Sequence, residues 1–348
     1  MDSFKGCLSA SEASNAAALG LERNDEAVIM PLSDGGDGFV RLLSAALRAR
    51  ICKTRVHDPL GRETDAEYGL TDDGIGIVDT ASASGLTLLS PEERNPLITS
   101  SFGTGELIMA AVRAGARTIY LGLGGSATND GGTGMLDALG INWNGDGSAS
   151  RLPLTEVSFH CFCDVTAPFT GQSGATMVFA PQKGASEGDL EILEKRMKGL
   201  ETVFNRHSII PLSDIRGSGA AGGIGGAAAV FLHARMHIGS EAFLDCIGMD
   251  KALRGTYAVI TGEGRSDSQT LLGKAPSGVL EYVRKHSPDT EVWLISGAVK
   301  GRDSLLNAGF RFVETSTPVG TPLQEAVDKD FASAAITRTV RRLRLSLE

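Results

Sequence analysis

The chain has 348 residues, and 44 of them are glycine, against a usual share of ~7%. Hydrophobic residues make up 42% and charged residues 22%, only 12 prolines accompany the glycines, and no G-x-y period runs through them, so disordered and collagen-like chains are excluded. A net charge of −9 repels nucleic acid and anionic membrane at long range, so an anionic ligand must be held by local donors such as glycine-rich backbone amides.

The first element is a helix through the alanines after Ser9, with Glu12 three residues on as in a capping box. Before it lies the loop Asp2-Ser3-Phe4-Lys5-Gly6. A strand, AVIMPL, a glycine loop from Ser33 to Gly38, and a helix, FVRLLSAALRARI, come next. From Lys53 to Asp79 short strands joined by Gly and Asp turns predict an antiparallel meander. A helix (TGELIMAAVRAG), a strand (RTIYLGL), a glycine loop from Gly124 to Gly132 and the helix TGMLDALG continue the pattern. Then come the strand HCFCDV, the charged helix of residues 186–207, and an Ala/Gly helix after Gly217-Ser218-Gly219. The C-terminal third alternates again: TYAVITG, EVWLISG and FRFVETS as strands, SGVLEYVRKH as a helix, and LQEAVDKDFASAAITRTVRRLRLSL as one long helix.

Strand–helix alternation predicts an α/β fold with parallel sheets, and the length favours two domains. The expected organisation is a doubly wound, Rossmann-like domain built from residues 1–52 and 252–348, with an α/β domain of residues 53–251 inserted. Five cysteines with no framework spacing predict free thiols. Cys161 and Cys163 share one side of a strand, and small buried hydrophobes explain them better than a metal pair. His233 and His237 have helical i,i+4 spacing, yet the Glu of HExxH is missing, so a solvated helix face is expected. No signal peptide is evident, and the longest weakly polar run, Ala220 to Leu232, is short of the ~20 residues of a membrane span. The expected setting is soluble and cytoplasmic.

Four glycine clusters, at 35–38, 122–134, 217–226 and 262–273, are the ligand candidates, three of them following apolar strand-like runs. The alternative is tight turns with no ligand. Gly217-Ser218-Gly219-Ala220-Ala221-Gly222 matches G-x-G-x-x-G, but its upstream run HSIIPLSDIR is a poor strand, so close helix packing is the better explanation. Gly273-Lys274-Ala275 is not a P-loop, since Ser268 replaces the first glycine and Ala275 the magnesium-binding hydroxyl. The segment from Gly262 to Gln269, with Gly273-Lys274, gathers an acid, an arginine, hydroxyls and a lysine after a strand. That set suits phosphoryl transfer; a salt-bridged turn is the bland alternative.

These residues resemble the type-1 glycerate kinase family from end to end: DSFKG with LSASEA, SDGGDG, GTGEL, GLGGSATNDGGTGMLDALG, CDVTAPFTG with FAPQKGA, GSGAAGG and GEGRSDSQTLLGKAPSGV. The resemblance implies two α/β domains with the active site in the cleft between them. It also implies ATP-dependent, Mg²⁺-assisted phosphorylation of D-glycerate to a phosphoglycerate, 2-phosphoglycerate favoured over 3-phosphoglycerate. Two departures stand out. Family members usually have a hydrophobic strand ahead of the first motif, whereas here Met1 abuts Asp2, so a core strand is expected to be missing; and the stretch after the third glycine loop is short.

On that reading Asp267 accepts the hydroxyl proton or holds magnesium, and Asp164 competes for the role. Lys5 and Lys274 clamp phosphate or the substrate carboxylate, and Arg265 pairs with that carboxylate in bidentate fashion. Gly124, Gly125, Ser126 and Asn129 present amides and a hydroxyl to phosphate, and Ser3 and Ser268 complete the binding set. Asp34 and Asp37 bind metal or cap their turn. The partners expected are small molecules, with no nucleic acid or membrane, in a monomer or homodimer. Alternatives are a kinase of another small hydroxy acid, a nicotinamide-dependent dehydrogenase resting on the Gly217 run, and a non-catalytic nucleotide-binding regulator.

Overall fold

Six strands between residues 50 and 237 pair in chain order: β1 (Arg50–His57), β2 (Glu63–Leu70), β3 (Ile75–Asp79), β4 (Thr118–Gly122), β5 (Ser158–Phe162) and β6 (Arg235–His237). The first two pairings are antiparallel and the next three parallel. The antiparallel part shows the two-residue period of a half-covered sheet, with Ala66, Tyr68 and Leu70 of β2 buried. The computed structural model describes every residue except 5, 34, 37, 149–153, 273, 274, 347 and 348. It is a mixed α/β structure of two compact units, Met1–Ser33 with Ser240–Glu348, and Asp34–Gly239.

In the unit of Asp34–Gly239, the helix Phe102–Arg113 buries Leu107, Ile108 and Ala111 against β1, β2 and β3. The charged helix Glu187–Phe204 puts only Leu193, Met197 and Phe204 inside, the spacing of a single apolar stripe. Its start is a capping box: Asp189 N–H donates to Ser186 Oγ at 3.3 Å, and Ser186 N–H to Asp189 Oδ2 at 2.9 Å. Ser186→Ala is expected to cost about 1 kcal/mol in urea unfolding.

The other unit contains β7 (Ala258–Thr261), β8 (Arg265–Ser266), β9 (Glu291–Ser296), β10 (Ala298–Val299) and β11 (Phe312–Thr315). β11, β9 and β7 form a parallel sheet in that order, and β8 pairs with β10. The helices Ala10–Ala18 and Lys329–Leu345 pack together, with Thr337 Oγ1 donating to Ala16 O at 2.7 Å. The Ser9–Glu12 capping box forms as expected.

Several local expectations change. The AVIMPL segment is not a strand, and Val28 and Ile29 are 66% and 44% exposed. A strand needs a ladder partner. Among the described residues β7 pairs only with β9, and a cavity of 440 Å³ is lined by Val28, Met30 and Ile260 among others. Met1 and Asp2 close one end of it: Asp2 N–H donates to Gly262 O at 2.9 Å and Leu32 N–H to Met1 O at 3.1 Å. His233 and His237 share no helix, because His233 takes a positive φ of 50° and His237 ends β6. The long C-terminal helix is two, divided where Asp328 caps Lys329–Leu345 through Phe331 N–H at 2.9 Å. Residues 34–52 fall in the unit of the six-stranded sheet and not with the chain ends, because β1 begins at Arg50 and the helix Phe39–Ala46 packs on β1, β2 and β3. Residues 240–251 join the other unit, where Tyr282 Oη donates to Asp245 Oδ1 at 2.6 Å.

Candidate active site

In the unit carrying β7, the loop after that strand is held from both sides. Gly297 N–H donates to Glu263 O and Ala298 N–H to Gly264 O, so the loop is sewn to the end of β9 and to β10. Gly262 has no room for a side chain, since a Cβ would lie 1.8 Å from Ile295 O. Glu263 is buried and accepts the hydroxyls of Ser266 (2.9 Å) and Thr270 (2.7 Å) on one oxygen. Ser266 Oγ is also 2.6 Å from Ser296 Oγ. This buried acid with three hydroxyls was not singled out from sequence, although its position between Gly262 and Gly264 after a strand was a signal. Asp267 is partly exposed, its side chain at 23%, and lies 3.8 Å from Arg265 Nε. Arg265 is thus beside an acid of its own loop. Thr270 Oγ1 accepts from Asp267 N–H at 3.0 Å. Ser268 is exposed at the start of the short helix Ser268–Leu272. Ser3 N–H donates to Asp2 Oδ1, next to the end of β7. Lys5 and Lys274 lie outside the described residues.

The unit of Asp34–Gly239 holds the other three glycine clusters, which touch through their backbones. A Cβ on Gly124 would lie 2.5 Å from Gly36 Cα, and one on Gly222 only 1.9 Å from Thr128 O. Gly131 N–H donates to Gly222 O at 3.0 Å. The 217–222 run is preceded by the short 3₁₀ turn Leu212–Asp214 and not by a strand. It packs on the 128–132 loop, so close approach explains its glycines and the dinucleotide pattern is incidental. Gly124 and Gly125 follow β4 directly and are half-buried and exposed respectively, with Ser126 buried and bridged to Gly85. Thr80 Oγ1 donates to Gly124 O at 2.7 Å, which fixes the turn. Asn129 is buried and donates through Nδ2 to Thr176 Oγ1 at 3.0 Å. Asp130 holds the loop from within, accepting from Ser101 N–H, Ser101 Oγ and the Gly132 and Gly134 amides. Asp164 is half-buried just past β5. Asp34 and Asp37 lie outside the described residues.

One residue of this unit escaped the sequence reading. Lys183, in the turn Pro181–Lys183, is 3% exposed, and its ammonium donates to Thr128 O at 2.7 Å and Ser126 Oγ at 3.1 Å. Burial pushes its pKa down to about 8, opposed by the Asp130 carboxylate. Among the described residues no three His, Cys, Asp or Glu side chains gather to hold a metal, and no helix is long and apolar enough to cross a membrane.

Known proteins are similar to this chain over its whole length. The model of the glycerate kinase family matches residues 1–347. The chain belongs to the glycerate kinase family. It is 37% identical to the glycerate kinase of Bacillus subtilis, over 100% of this chain and 96% of that one. It is 39% identical to the glycerate 2-kinase of Escherichia coli, over 82% of each. The crystal structure of a candidate glycerate kinase 2 from Salmonella typhimurium superposes with a TM-score of 0.82 at 35% identity, covering 99% of this chain and 96% of that one. Membership makes the chain a phosphotransferase with an alcohol group as acceptor. The expected family resemblance and α/β class therefore stand.

Proposed function

We propose that the chain transfers the γ-phosphoryl group of ATP to the 2-hydroxyl of D-glycerate, giving 2-phosphoglycerate. The observation that carries this reading is the match to the glycerate kinase family over residues 1–347. The choice of the 2-hydroxyl is supported by the name of the Escherichia coli relative. In this reading Asp267 takes the hydroxyl proton, with Asp164 the competing acid. Arg265, 3.8 Å from Asp267, faces that carboxylate or turns to the glycerate carboxylate. The amides of Gly124 and Gly125 and the Ser126 hydroxyl hold an anionic oxygen, and Asn129 keeps their loop in shape. Ser3, Ser268, Lys5 and Lys274 complete the substrate-binding set.

Mg²⁺ retains several waters and takes one or two carboxylates together with substrate phosphates. Asp267 or Asp164 would supply the protein oxygen, with Asp34 and Asp37 as the further carboxylates proposed, and the bound ion would neutralise charge on the transferring phosphoryl group. A reducing, cytoplasmic compartment is supported by five free cysteines.

Phosphorus NMR of the product made from D-glycerate and ATP tests the reading. The resonance of 2-phosphoglycerate is expected. A 3-phosphoglycerate signal overturns the regiochemistry, and glycerate-independent or absent ADP release overturns the reading itself.

A further inference from the structure

We propose that Lys183 is a positioning residue: its ammonium holds the Ser126 hydroxyl so that the hydroxyl's own hydrogen is offered to an anionic oxygen of the substrate at the Gly124–Ser126 turn. This rests on the phosphotransferase reading above and deepens it. Hydroxyl chemistry comes first. A serine hydroxyl has one hydrogen to give and two lone pairs to accept with. Ser126 Oγ accepts from Lys183 Nζ at 3.1 Å, so its hydrogen must point away from the ammonium. Among the described residues that hydrogen meets no acceptor, and the neighbouring Gly125 is exposed.

Charge gives the second part. Lys183 is 3% exposed, and its two acceptors, Ser126 Oγ and Thr128 O, are both neutral. A buried ammonium without an ion-pair partner is strongly unfavourable, and an anion delivered by a ligand offsets that cost. The charged groups nearest to it in the packing are few. Asp130 is already occupied by Ser101 and two backbone amides. Arg94, whose carbonyl abuts Gly184, carries a buried Nε without a partner.

Unsatisfied polar atoms are the third part. Thr128 Oγ1 and Asn129 Oδ1, on the same loop, and Ser218 Oγ, on the loop packed against it, are buried without hydrogen-bond partners. Such atoms are scarce in folded proteins, and three on adjoining loops mark a place shaped for something besides the chain itself.

The anionic oxygen belongs to the carboxylate of D-glycerate or to a phosphate of ATP, and the experiment separates the two. D-glycerate and Mg·ATP are each titrated calorimetrically into the full chain, in two buffers of different ionisation heat, from about pH 6.5 to about pH 9. An anion seated over Lys183 raises a pKa that burial has lowered to about 8. Binding therefore takes up almost no proton at the acid end, where the lysine is already charged. Uptake rises toward one proton at the alkaline end, and affinity falls about tenfold per pH unit above 8. The ligand that shows the uptake is the one Ser126 faces.

Lys183→Met is expected to abolish the uptake and raise the KM of that ligand about tenfold or more, with a smaller change in kcat, while the KM of the other ligand stays near wild type. A merely structural lysine would lower the melting temperature and leave the proton count unchanged. No uptake by wild type with either ligand, or equal uptake in Lys183→Met, overturns the proposal. Should Lys183→Met fail to fold, the wild-type proton count and Ser126→Ala, expected to raise the same KM, decide it. Failure of wild type to release ADP with glycerate strikes the proposed function instead, and the Mg·ATP titration still reports on Lys183.

Discussion

Asp267→Asn is expected to slow glycerate phosphorylation about 10²–10⁴-fold in kcat, the usual worth of a general base, while the protein remains folded. Asparagine keeps the size and shape of the side chain and removes only its capacity to take a proton. Thermal unfolding reads any structural cost of the change. The Asp267 backbone amide, not its carboxylate, makes the bond to Thr270 Oγ1 at 3.0 Å, and the loop is held by the backbone bonds from Gly297 and Ala298. The ion pair to Arg265 is long, at 3.8 Å, and its arginine is 67% exposed, so its loss is worth at most about 1 kcal/mol. Steady-state kinetics on Asp267→Asn and Asp164→Asn, side by side with thermal unfolding, decide between the two acids. A kcat within a few-fold of wild type for Asp267→Asn rejects the assignment, and a large drop for Asp164→Asn alone transfers the role.

The second large effect concerns the packing of loops. Gly222→Ala is expected to destabilise the protein by about 3 kcal/mol or more in urea unfolding. Gly222 has φ +70°, where a side chain is itself strained, and an added Cβ would lie 1.9 Å from Thr128 O and 2.7 Å from Thr128 C. Both obstacles are backbone, so no side chain can swing aside. The loop would have to move, and Thr128 O is an acceptor of the buried Lys183 ammonium. Residual folded enzyme should therefore bind its anionic substrate more weakly as well. Gly199→Ala is the matched control. It sits within the helix Glu187–Phe204 with nothing within 4 Å of the added Cβ, and the change should stabilise by up to about 1 kcal/mol. Equal responses at the two positions would show that the clash at Gly222 is relieved in solution.

Much of the fold was legible because local chemistry and final structure agree. Ser9 with Glu12 reads as a helix start and is one. The RTIYLGL run reads as a strand ending in a glycine turn, and β4 ends at Gly122. Where the reading failed, a distant partner decided. AVIMPL has strand composition, but composition cannot supply a ladder neighbour. The i,i+4 histidines look helical until β5 recruits residues 235–237 as a strand. The loop containing Gly35 and Gly36 looked like part of the chain-end domain. It belongs with the six-stranded sheet, because Gly35 packs on Phe162 O and Gly36 on Gly124. In the candidate site, the acids and glycine turns announce themselves by residue type and spacing. Lys183 does not. A lysine between Pro181 and Gly184 is ordinary in sequence, and only tertiary packing makes it a buried cation.

The cavity beside β7 has a consequence for how the molecules behave together in solution. A strand laddered on one side only leaves a row of amide and carbonyl groups able to template a second chain. Val28, Ile29 and the 63% exposed Tyr257 line that cavity, so its border is apolar. A net charge of −9 opposes such association through mutual repulsion. Salt screens that repulsion within about 8–10 Å at ordinary ionic strength. Added salt is therefore expected to shorten the time a concentrated solution stays clear, which light scattering against ionic strength checks.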